Sequence, residues 1–480
     1  MYAAQFMAFC RYAVLPGLVG LTLTFGIATA HAEPSPTSVP PSIETPQATR
    51  SLTMTEALSY AHAHQPAIRA ALARVSARMA EAKIPSGQWL PTVGVTGQLF
   101  AMTANNTTAT YVQPAFIDIP RIGATPARAI GNLAPFPSTL VSAGLVQEVF
   151  DFGRIGAQRA AADALVDVER HRADIERLDI DFGVEEAFFA VFAAKAIVKA
   201  SDDACDRARV HRDLARAGVN SGLRSPIELT RAEADVTRFD LARVRARGGV
   251  AVAQSVLAAA IGAPDPAVDV TGEAPQPGAM PALATALATA QKRNPRLAEA
   301  FARLTAAEAK TQAVGAELRP DASLTASVSG RAGGAPPSSG SAANGEGWVP
   351  NVPNWDVGLL LSWPIFDGTV VARREASRSV EQVRRDEIDL AREQEIADIR
   401  QVYVQLQVAH AALAALDNAV VAARANYDQA DARFRAGLGT AVELADAEAI
   451  RADAEIQLAL GQFEFARSRA ALGRAIAEEI

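Results

Sequence analysis

Histidine and cysteine, the side chains that most often act as metal ligands or catalysts, are few and scattered in this sequence. Beyond the N-terminal apolar run, the histidines are His62, His64, His171, His211 and His410. His62 and His64 are close in sequence, but a spacing of two on a helix directs them to different faces. Cys205 lies in a polar helical pattern without a partner, and we interpret it as a packing residue. Since no Gly-rich phosphate loop or nucleophile elbow is present, the sequence predicts neither an enzyme nor a metal or cofactor site.

The composition excludes several other classes of protein. Of 480 residues, 49% are apolar and 21% are charged, so the chain is predicted to fold. Two cysteines rule out a disulfide scaffold, and a net charge of -7 without a basic run argues against nucleic acid as a partner. Aromatic residues make up only 6%, and alanine dominates the apolar share, which favours closely packed helices.

The N-terminus has the pattern of an export signal. Arg11 lies just before the apolar stretch 13–30, which ends in an Ala-His-Ala cleavage pattern. We therefore predict a signal peptide over residues 1–32, followed by a Pro-rich tail over residues 33–50. The alternative is a signal anchor that stays in place. No lipobox precedes the cut, so no lipid anchor is expected.

The rest of the sequence is an internal tandem duplication. An Ala-Leu pair followed by an amide–proline pair occurs twice, with Pro66 and Pro295 separated by 229 residues. Further matches follow in the same order: Phe150-Asp151 with Phe366-Asp367, Ala217-Gly218 with Ala436-Gly437, and Glu228 with Glu443. We predict a first repeat over residues 51–263, a linker over 264–280 and a second repeat over 281–480. Each contains a helix, two strands and a long helical hairpin.

Period-two alternation predicts two strands in each repeat. The clearest strand carries on one face Trp355, Val357, Leu359, Leu361 and Trp363. Each run has about nine to eleven residues, the length of a tilted membrane strand. The alternative is a soluble sandwich, but Trp355 and Trp363 at the two ends of one strand favour an aromatic membrane girdle. The Gly-, Pro- and Ser-rich segments 101–138 and 330–354 are predicted to be exposed loops.

Two proline-free segments, 154–217 and 369–436, predict very long helices. At 1.5 Å per residue each would span about 100 Å, which indicates a coiled coil rather than a globular domain. A heptad seam in the second repeat is formed by Ile399, Leu406, Leu413, Val420, Tyr427 and Phe434. Glycines at the helix ends, among them Gly222 and Gly437, predict turns from which a second helix returns.

Four strands are too few to enclose a membrane barrel, and open sheet edges cannot face lipid. Copies of the chain must therefore pool their strands, two copies giving eight strands and three giving twelve. The strand count leaves this choice open. The long helices would pool into a second, helical barrel on the same axis.

The order and spacing of these motifs resemble the TolC-like outer membrane efflux and secretion proteins over residues 52–477. The matching segments are Glu56-Ala-Leu58 with Gln65-Pro66, Trp89-Leu-Pro91, Val149-Phe-Asp-Phe-Gly153, Ile365-Phe-Asp-Gly368, and Arg433-Phe-Arg-Ala-Gly-Leu-Gly-Thr440 with Val442-Glu-Leu444. The resemblance implies a mixed, mainly α fold in a homotrimer. Its α-helical barrel of long coiled-coil hairpins would continue into a twelve-stranded outer membrane β-barrel, with four strands per chain.

The same resemblance implies a channel-tunnel in the outer membrane that extends into the periplasm and exports small molecules or proteins. It would be the outer part of a tripartite efflux pump or a type I secretion system. The implied partners are a periplasmic adaptor, an inner membrane transporter of the RND, ABC or MFS type, and outer membrane lipid. The cargo stays open. A periplasmic adaptor and a soluble coiled-coil scaffold are the competing interpretations. Two hairpins and membrane-type strands argue against the adaptor, and the signal sequence and the Trp-bounded strand argue against the scaffold.

In this family acidic side chains ring the narrow periplasmic end of the tunnel. The matching positions are Glu443 and Asp446, which lie three apart on one helix face. Three copies would place about six carboxylates around one axis and attract cations; the alternative is an ordinary solvated helix face. Glu228, the counterpart of Glu443, is predicted to join the closing contacts. Phe434 matches an aromatic residue that helps close the tip, but it lacks a hydroxyl group.

The resemblance also implies that the hairpin tips, 217–226 and 436–440, meet the adaptor. The candidate docking residues are Gly218, Arg224, Pro226, Gly437, Gly439 and Thr440. The first tip is predicted to be four residues longer, counting from Gly218 to Glu228 and from Gly437 to Glu443. That asymmetry predicts either that the two hairpins dock differently or that the insertion is neutral.

Overall fold

The structure is a computed structural model that describes residues 50–102, 136–264, 268–272, 278, 280–333 and 352–478. The predicted signal peptide, nearly all of the Pro-rich tail and most of both predicted loops lie outside these residues. The helices are α1 (Met54–His64), α2 (Pro66–Glu81), α3 (Ile84–Gly87), α4 (Arg154–Asn220), α5 (Pro226–Ile261), α6 (Leu283–Arg293), α7 (Pro295–Ala316), α8 (Gly368–Arg435) and α9 (Ala441–Ile476). The strands are β1 (Arg50–Leu52), β2 (Thr92–Met102), β3 (Phe136–Phe150), β4 (Val268–Val270), β5 (Asp321–Gly333) and β6 (Val352–Ser362).

The four predicted long strands form one antiparallel sheet in the order β2-β3-β5-β6. One cross-strand row consists of Val95, Ala143, Val328 and Trp355. The three large side chains of this row are exposed in the single chain. The strands extend further into the predicted loop segments than expected, and Trp363 lies one residue beyond the end of β6.

The opposite face of the sheet differs in the neighbouring row, since alternate residues of a strand point to opposite sides. Its next row consists of Gly94, Gly144, Ser327 and Asp356, and Ser327 donates a hydrogen bond to the Asp356 carboxylate. These two rows therefore place apolar and polar side chains on opposite faces of the sheet.

The two longest helices, α4 with 67 residues and α8 with 68, each extend about 100 Å, as the proline-free segments predict. Each turns into a helix of 36 residues, α5 or α9. Along the two hairpins the packing order is α5, α4, α9, α8. All six heptad residues from Ile399 to Phe434 are buried in the single chain, which confirms the predicted seam.

The repeated Phe-Asp motif begins each of the longest helices. Asp367 is the N-cap of α8, and its Oδ1 accepts hydrogen bonds from the backbone N–H groups of Thr369 and Val370. These bonds lower the pKa of Asp367. Asp151 lies two residues before Gly153, the N-cap of α4, and its carboxylate accepts from the N–H groups of Gly153 and Ile155.

The repeated amide–proline motif ties the start of one helix to the end of another. The side chain of Gln65 donates to the carbonyls of Ala259 and Ala260, in the last turn of α5. The side chain of Asn294 donates to the carbonyl of Ala475, in the last turn of α9. The last carbonyls of a helix have no partner within the helix, and each amide supplies a donor to them.

The two repeats contain the same core of helical residues. In the described part of the chain, only the first core also packs against a pair of strands. Six buried positions of the first core, Ala57, Ala61, Val184, Val191, Leu257 and Ile261, have as counterparts in the second Ala286, Ala290, Ile399, Leu406, Leu472 and Ile476. The short parallel pair β1–β4, which the sequence did not predict, adds Leu52, Val268 and Val270 to the first core. Residues 264–280, predicted as a linker, thus contain β4.

Candidate functional site at the hairpin tips

The two hairpin tips have the same backbone. Each connection has five residues, 221–225 between α4 and α5 and 436–440 between α8 and α9. Gly222 and Gly437 both have a φ of 73°, a left-handed conformation that favours glycine. These two glycines are 215 residues apart, and so are the ends of α4 and α8 and both ends of α5 and α9.

Backbone hydrogen bonds confirm this equivalence. The carbonyl of Gly218 accepts from the N–H groups of Leu223 and Arg224 at 2.9 and 3.1 Å. The carbonyl of Arg433 accepts from Leu438 and Gly439 at the same two distances. The prediction that the first tip is four residues longer is therefore wrong.

That error has a physical reason. The sequence comparison paired Gly218 with Gly437, since each follows an alanine at the end of a long helix. Gly218 lies inside α4, however, and Gly222 is the residue with the positive φ that the turn requires. Backbone conformation, rather than residue identity, decides which glycines correspond.

In each tip one glycine lies close to one arginine, and the order of these two residues along the chain is reversed between the tips. The first tip has Gly218 and Arg224 at the positions where the second has Arg433 and Gly439. A Cβ atom added to Gly218 would lie 2.6 Å from Cδ of Arg224, and one added to Gly439 would lie 3.2 Å from Cβ of Arg433. In the first tip the glycine leaves room for the arginine to fold back over α4.

Arg224 crosses from the first hairpin to the second. Its guanidinium carbon lies 3.7 Å from the centroid of the Phe434 ring, and Nη2 donates to the Phe434 carbonyl at 3.0 Å. Nη1 donates to Oε2 of Glu228 at 2.9 Å. The Arg224 side chain is only 20% exposed. Ring, carbonyl and carboxylate thus hold one cation on three sides.

Phe434 is fixed in a small apolar core at the end of the second hairpin. It is 3% exposed and belongs to a buried cluster with Tyr427, Leu444 and Ala447. The Tyr427 hydroxyl and Nε2 of His211 on α4 are 2.9 Å apart, which joins the hairpins a second time. Burial lowers the pKa of His211 and raises the pKa of Tyr427 to about 12, so both are neutral at pH 7.

A buried ion pair forms a third link between the hairpins. Both carboxylate oxygens of Glu448 on α9 accept from Nε of Arg207 on α4, at 3.0 and 2.9 Å. Glu448 is 2% exposed. Burial raises the pKa of Glu448, although the hydrogen bonds from Arg207 act in the opposite direction. Sequence patterns did not predict this pair, because its members are 241 positions apart.

The predicted gate residues divide into two groups. Glu228 and Phe434 are brought together through Arg224, as described above. Glu443 and Asp446 are exposed in the single chain. Glu443 also belongs to a capping box in which Thr440 accepts from the Glu443 N–H and the Glu443 carboxylate accepts from the Thr440 N–H. This carboxylate therefore stabilises the start of α9.

The predicted docking residues are placed at the turns and helix starts. Pro226 is the first residue of α5, and Thr440 is the N-cap of α9. The most exposed apolar side chains of the tips were not predicted: Leu223 is 84% exposed and Leu438 is 75% exposed. A single leucine among turn residues is a weak signal. Leucines at the equivalent position of both tips are a stronger one, and they would have revealed Leu223 and Leu438 as exposed apolar residues.

A cavity of about 270 Å³ lies beside the Arg224 contact, between α4, α5 and α9. Phe434 and Glu228 form part of its wall. Within the described residues, no group of three or more His, Cys, Asp or Glu side chains could hold a metal ion.

Comparisons with known proteins agree with the fold. The sequence model of the family described as outer membrane efflux protein matches residues 57–263 and 286–478. Protein CyaE of Bordetella pertussis is 26% identical over 404 residues, covering 83% of this chain and 78% of CyaE. The open-state MtrE outer membrane channel of Neisseria gonorrhoeae is 19% identical with a TM-score of 0.64, covering 91% of this chain and 93% of MtrE. The Campylobacter jejuni CmeC outer membrane channel is 14% identical with a TM-score of 0.67, covering 88% and 85%.

Proposed function

Since this chain belongs to the outer membrane efflux protein family, as its motifs predicted, we propose that it forms a trimeric channel-tunnel that exports small molecules or proteins. The protein is located in the outer membrane and extends into the periplasm. One observation carries the proposal. The sheet ends in two edge strands, β2 and β6, and the row of hairpin helices ends in α5 and α8, so both the sheet and the helices need a partner copy.

The strand edges support a closed barrel shared between copies. In lipid, unpaired N–H and C=O groups of an edge strand cost several kcal/mol each, so β6 of one copy must pair with β2 of the next. Three copies would give twelve strands, with the row of Val95, Val328 and Trp355 towards lipid and the row of Ser327 and Asp356 towards the lumen. Trp355 and Trp363 would mark the two membrane interfaces.

The helix edges support the same assembly. α5 and α8 each contain an apolar stretch of 18 residues, with mean hydropathies of 1.2 and 1.4. Only 28% of each stretch is buried in the single chain. By length and composition alone each could cross a membrane. Because they are the outermost helices of the two hairpins, we assign their apolar faces to contacts with neighbouring copies, where α8 of one would pack on α5 of the next.

We further propose that the tips form the periplasmic gate and that Arg224 is part of its latch. Arg224 was predicted as a docking residue, but its guanidinium group is held between Phe434 and Glu228. Replacing Arg224 with Ala removes the hydrogen bond to the Phe434 carbonyl and the ring contact, which form one of the three links between the hairpins described above. We expect a higher single-channel conductance in planar bilayers, and unchanged conductance would contradict the latch.

The acidic ring at the gate needs a test that separates charge from helix capping. Glu443→Gln keeps the capping box, because glutamine can take the same position, but removes the charge. Glu443→Gln combined with Asp446→Asn is expected to lower cation selectivity, measured as the reversal potential across a salt gradient. The control is Glu233→Gln, an exposed carboxylate on α5 of the first hairpin, five residues farther from the tip than Glu228. Equal reversal potentials in wild type and double variant would contradict the ring.

The tips are also the proposed contact with a periplasmic adaptor and, through it, an inner membrane transporter of the RND, ABC or MFS type. Leu223 and Leu438 offer the exposed apolar surface that such a contact would bury. The complex would act as a tripartite efflux pump or a type I secretion system. Crosslinking at these two leucines in intact cells, followed by identification of the linked protein, tests this assignment.

The assembly itself is tested by fractionation and gel electrophoresis. We expect the protein in the outer membrane fraction, as an oligomer band that converts to the monomer on heating. Recovery as a soluble monomer would contradict the channel and favour a periplasmic scaffold.

A further inference from the structure

We propose that the Phe434 ring, the Phe434 carbonyl and the Glu228 carboxylate form a binding site for a small amphipathic cation. Its chemical class is a guanidinium or amidinium group on a short apolar body. In the present structure Arg224 of the same chain occupies the cation position. The consequence for channel opening rests on the proposed gate, whereas the binding itself does not.

The contacts of Arg224 define what this site recognises. The guanidinium carbon lies 3.7 Å from the centroid of the Phe434 ring, while Nη1 and Nη2 donate to Glu228 at 2.9 Å and to the carbonyl at 3.0 Å. A planar cation with several in-plane N–H donors satisfies the ring and both acceptors at once. A neutral planar group of the same shape lacks the attraction to the carboxylate and to the ring face.

The site persists when Arg224 leaves. Phe434 is held by its buried cluster, and its carbonyl belongs to the last turn of α8, where the helix dipole adds negative potential. Glu228 is in the first turn of α5. Arg224, by contrast, lies in the connection between α4 and α5, so moving its side chain disrupts no helix.

The adjoining cavity provides space for the apolar body. Its volume of about 270 Å³ is close to the lower end of ligand pockets, and much of its wall is alanine, with Phe239, Val442 and Leu444. Polar groups occupy other parts of the wall, namely Arg231, Asp235, His211 and Glu448, and Glu448 is already paired with Arg207. The apolar wall therefore accepts a group of about the size of a phenyl ring.

The first experiment uses the full-length oligomer in detergent and two probes of the same shape. Calorimetry measures the binding of 4-phenylbutylguanidinium and of its neutral isostere 4-phenylbutylurea. We expect the guanidinium to bind and the urea not to bind. Arg224→Ala should raise the guanidinium affinity about tenfold or more, because the internal competitor is removed. Equal binding of the two probes, or an unchanged affinity in Arg224→Ala, would overturn the proposal.

A second variant guards against a folding defect in the first. Glu228→Gln should lower the guanidinium affinity about tenfold, whereas Arg216→Ala, which removes an exposed arginine from the same hairpin, should leave it unchanged. Unchanged affinity in Glu228→Gln would count against the site. Conductance of the same preparations separates the two proposals: a conducting channel without guanidinium binding refutes only the site, and binding without conductance refutes only the channel.

Discussion

The two hairpin tips share one backbone and differ in what their side chains connect. Both have the positive-φ glycine, the doubly accepting carbonyl and the exposed leucine, each 215 residues from its counterpart. Only the first tip sends a side chain, Arg224, across to the other hairpin. The backbone of a tip is therefore specified by a few residues that were kept in both repeats, and the contact between the hairpins depends on residues that diverged.

The same contrast appears further along the hairpins. Glu448 and Glu233 are counterparts, yet Glu448 is buried against Arg207 while Glu233 is half exposed and pairs with Arg216 on its own hairpin. The repeats have thus kept a carboxylate at one position and changed its surroundings. This pair provides matched variants for measuring what burial contributes.

The largest expected effect comes from breaking the buried pair. Arg207→Met leaves the Glu448 carboxylate buried without its partner, which should destabilise the protein by about 3–5 kcal/mol. Arg216→Met removes the exposed pair with Glu233, the counterpart of Glu448, and should cost less than about 1 kcal/mol. Thermal unfolding of both variants measures the difference. Similar melting temperatures would mean that the two carboxylates are in equivalent environments after all.

The second effect is a pH dependence that Glu185 on the first hairpin provides and that its repeat counterpart does not. Glu185 on α4 is 9% exposed, and burial, reinforced by Asp181, raises its pKa to about 7, against the opposing charge of Arg469 on α9. Its counterpart on α8 is Arg400, which is exposed. The folded state therefore holds a proton on Glu185 that the unfolded chain releases near pH 4.5.

A pKa raised on folding contributes stability at low pH that is lost as the pH rises. For Glu185 the loss should extend from about pH 4.5 to about pH 7 and amount to about 3 kcal/mol. Glu185→Gln should flatten this part of the pH profile of thermal unfolding, whereas Arg400→Gln should leave it unchanged. A profile that is the same in wild type and Glu185→Gln would show that the carboxyl is hydrated.

The third prediction concerns the free energy of unfolding, to which the two turns should contribute equally because they share one backbone conformation. Gly222→Ala and Gly437→Ala each place a Cβ atom at a φ of 73°, which should cost about 1–2 kcal/mol. No other heavy atom lies within 4 Å of either added Cβ, so the backbone penalty alone applies and the two losses should agree. Unequal losses on chemical denaturation would show that one tip is strained by its contacts.

The smallest effect distinguishes the N-caps of α5 and α9. Thr440 makes a side-chain capping bond, but its counterpart Ser225 makes none. Thr440→Ala should therefore cost about 1 kcal/mol, and Ser225→Ala should cost a few tenths of that. Circular dichroism during thermal unfolding measures both variants. A larger loss for Ser225→Ala would reverse this assignment.

Elements with a regular period were predictable from the sequence. The alternation around Trp355 and the heptad from Ile399 to Phe434 gave the sheet faces and the buried seam, because both depend on local geometry. The strand pair β1–β4 was missed, since three residues are too few to show a period. The contacts of Arg224 and Arg207 were missed because their partners lie 210 and 241 positions away, and a charge in a turn or on a helix is usually solvated.

The spacing between the repeats changes along the chain and records where residues have been inserted or deleted since the duplication. The counterparts α1 and α6 are 229 residues apart, whereas α5 and α9 are 215 apart. The difference arises between these helices, in the stretch that holds the segments 103–135 and 334–351. The hairpins have kept their length to within one residue at the start of the long helix. A residue added inside a helix would rotate every later side chain by about 100° and move the tip out of line with its neighbour.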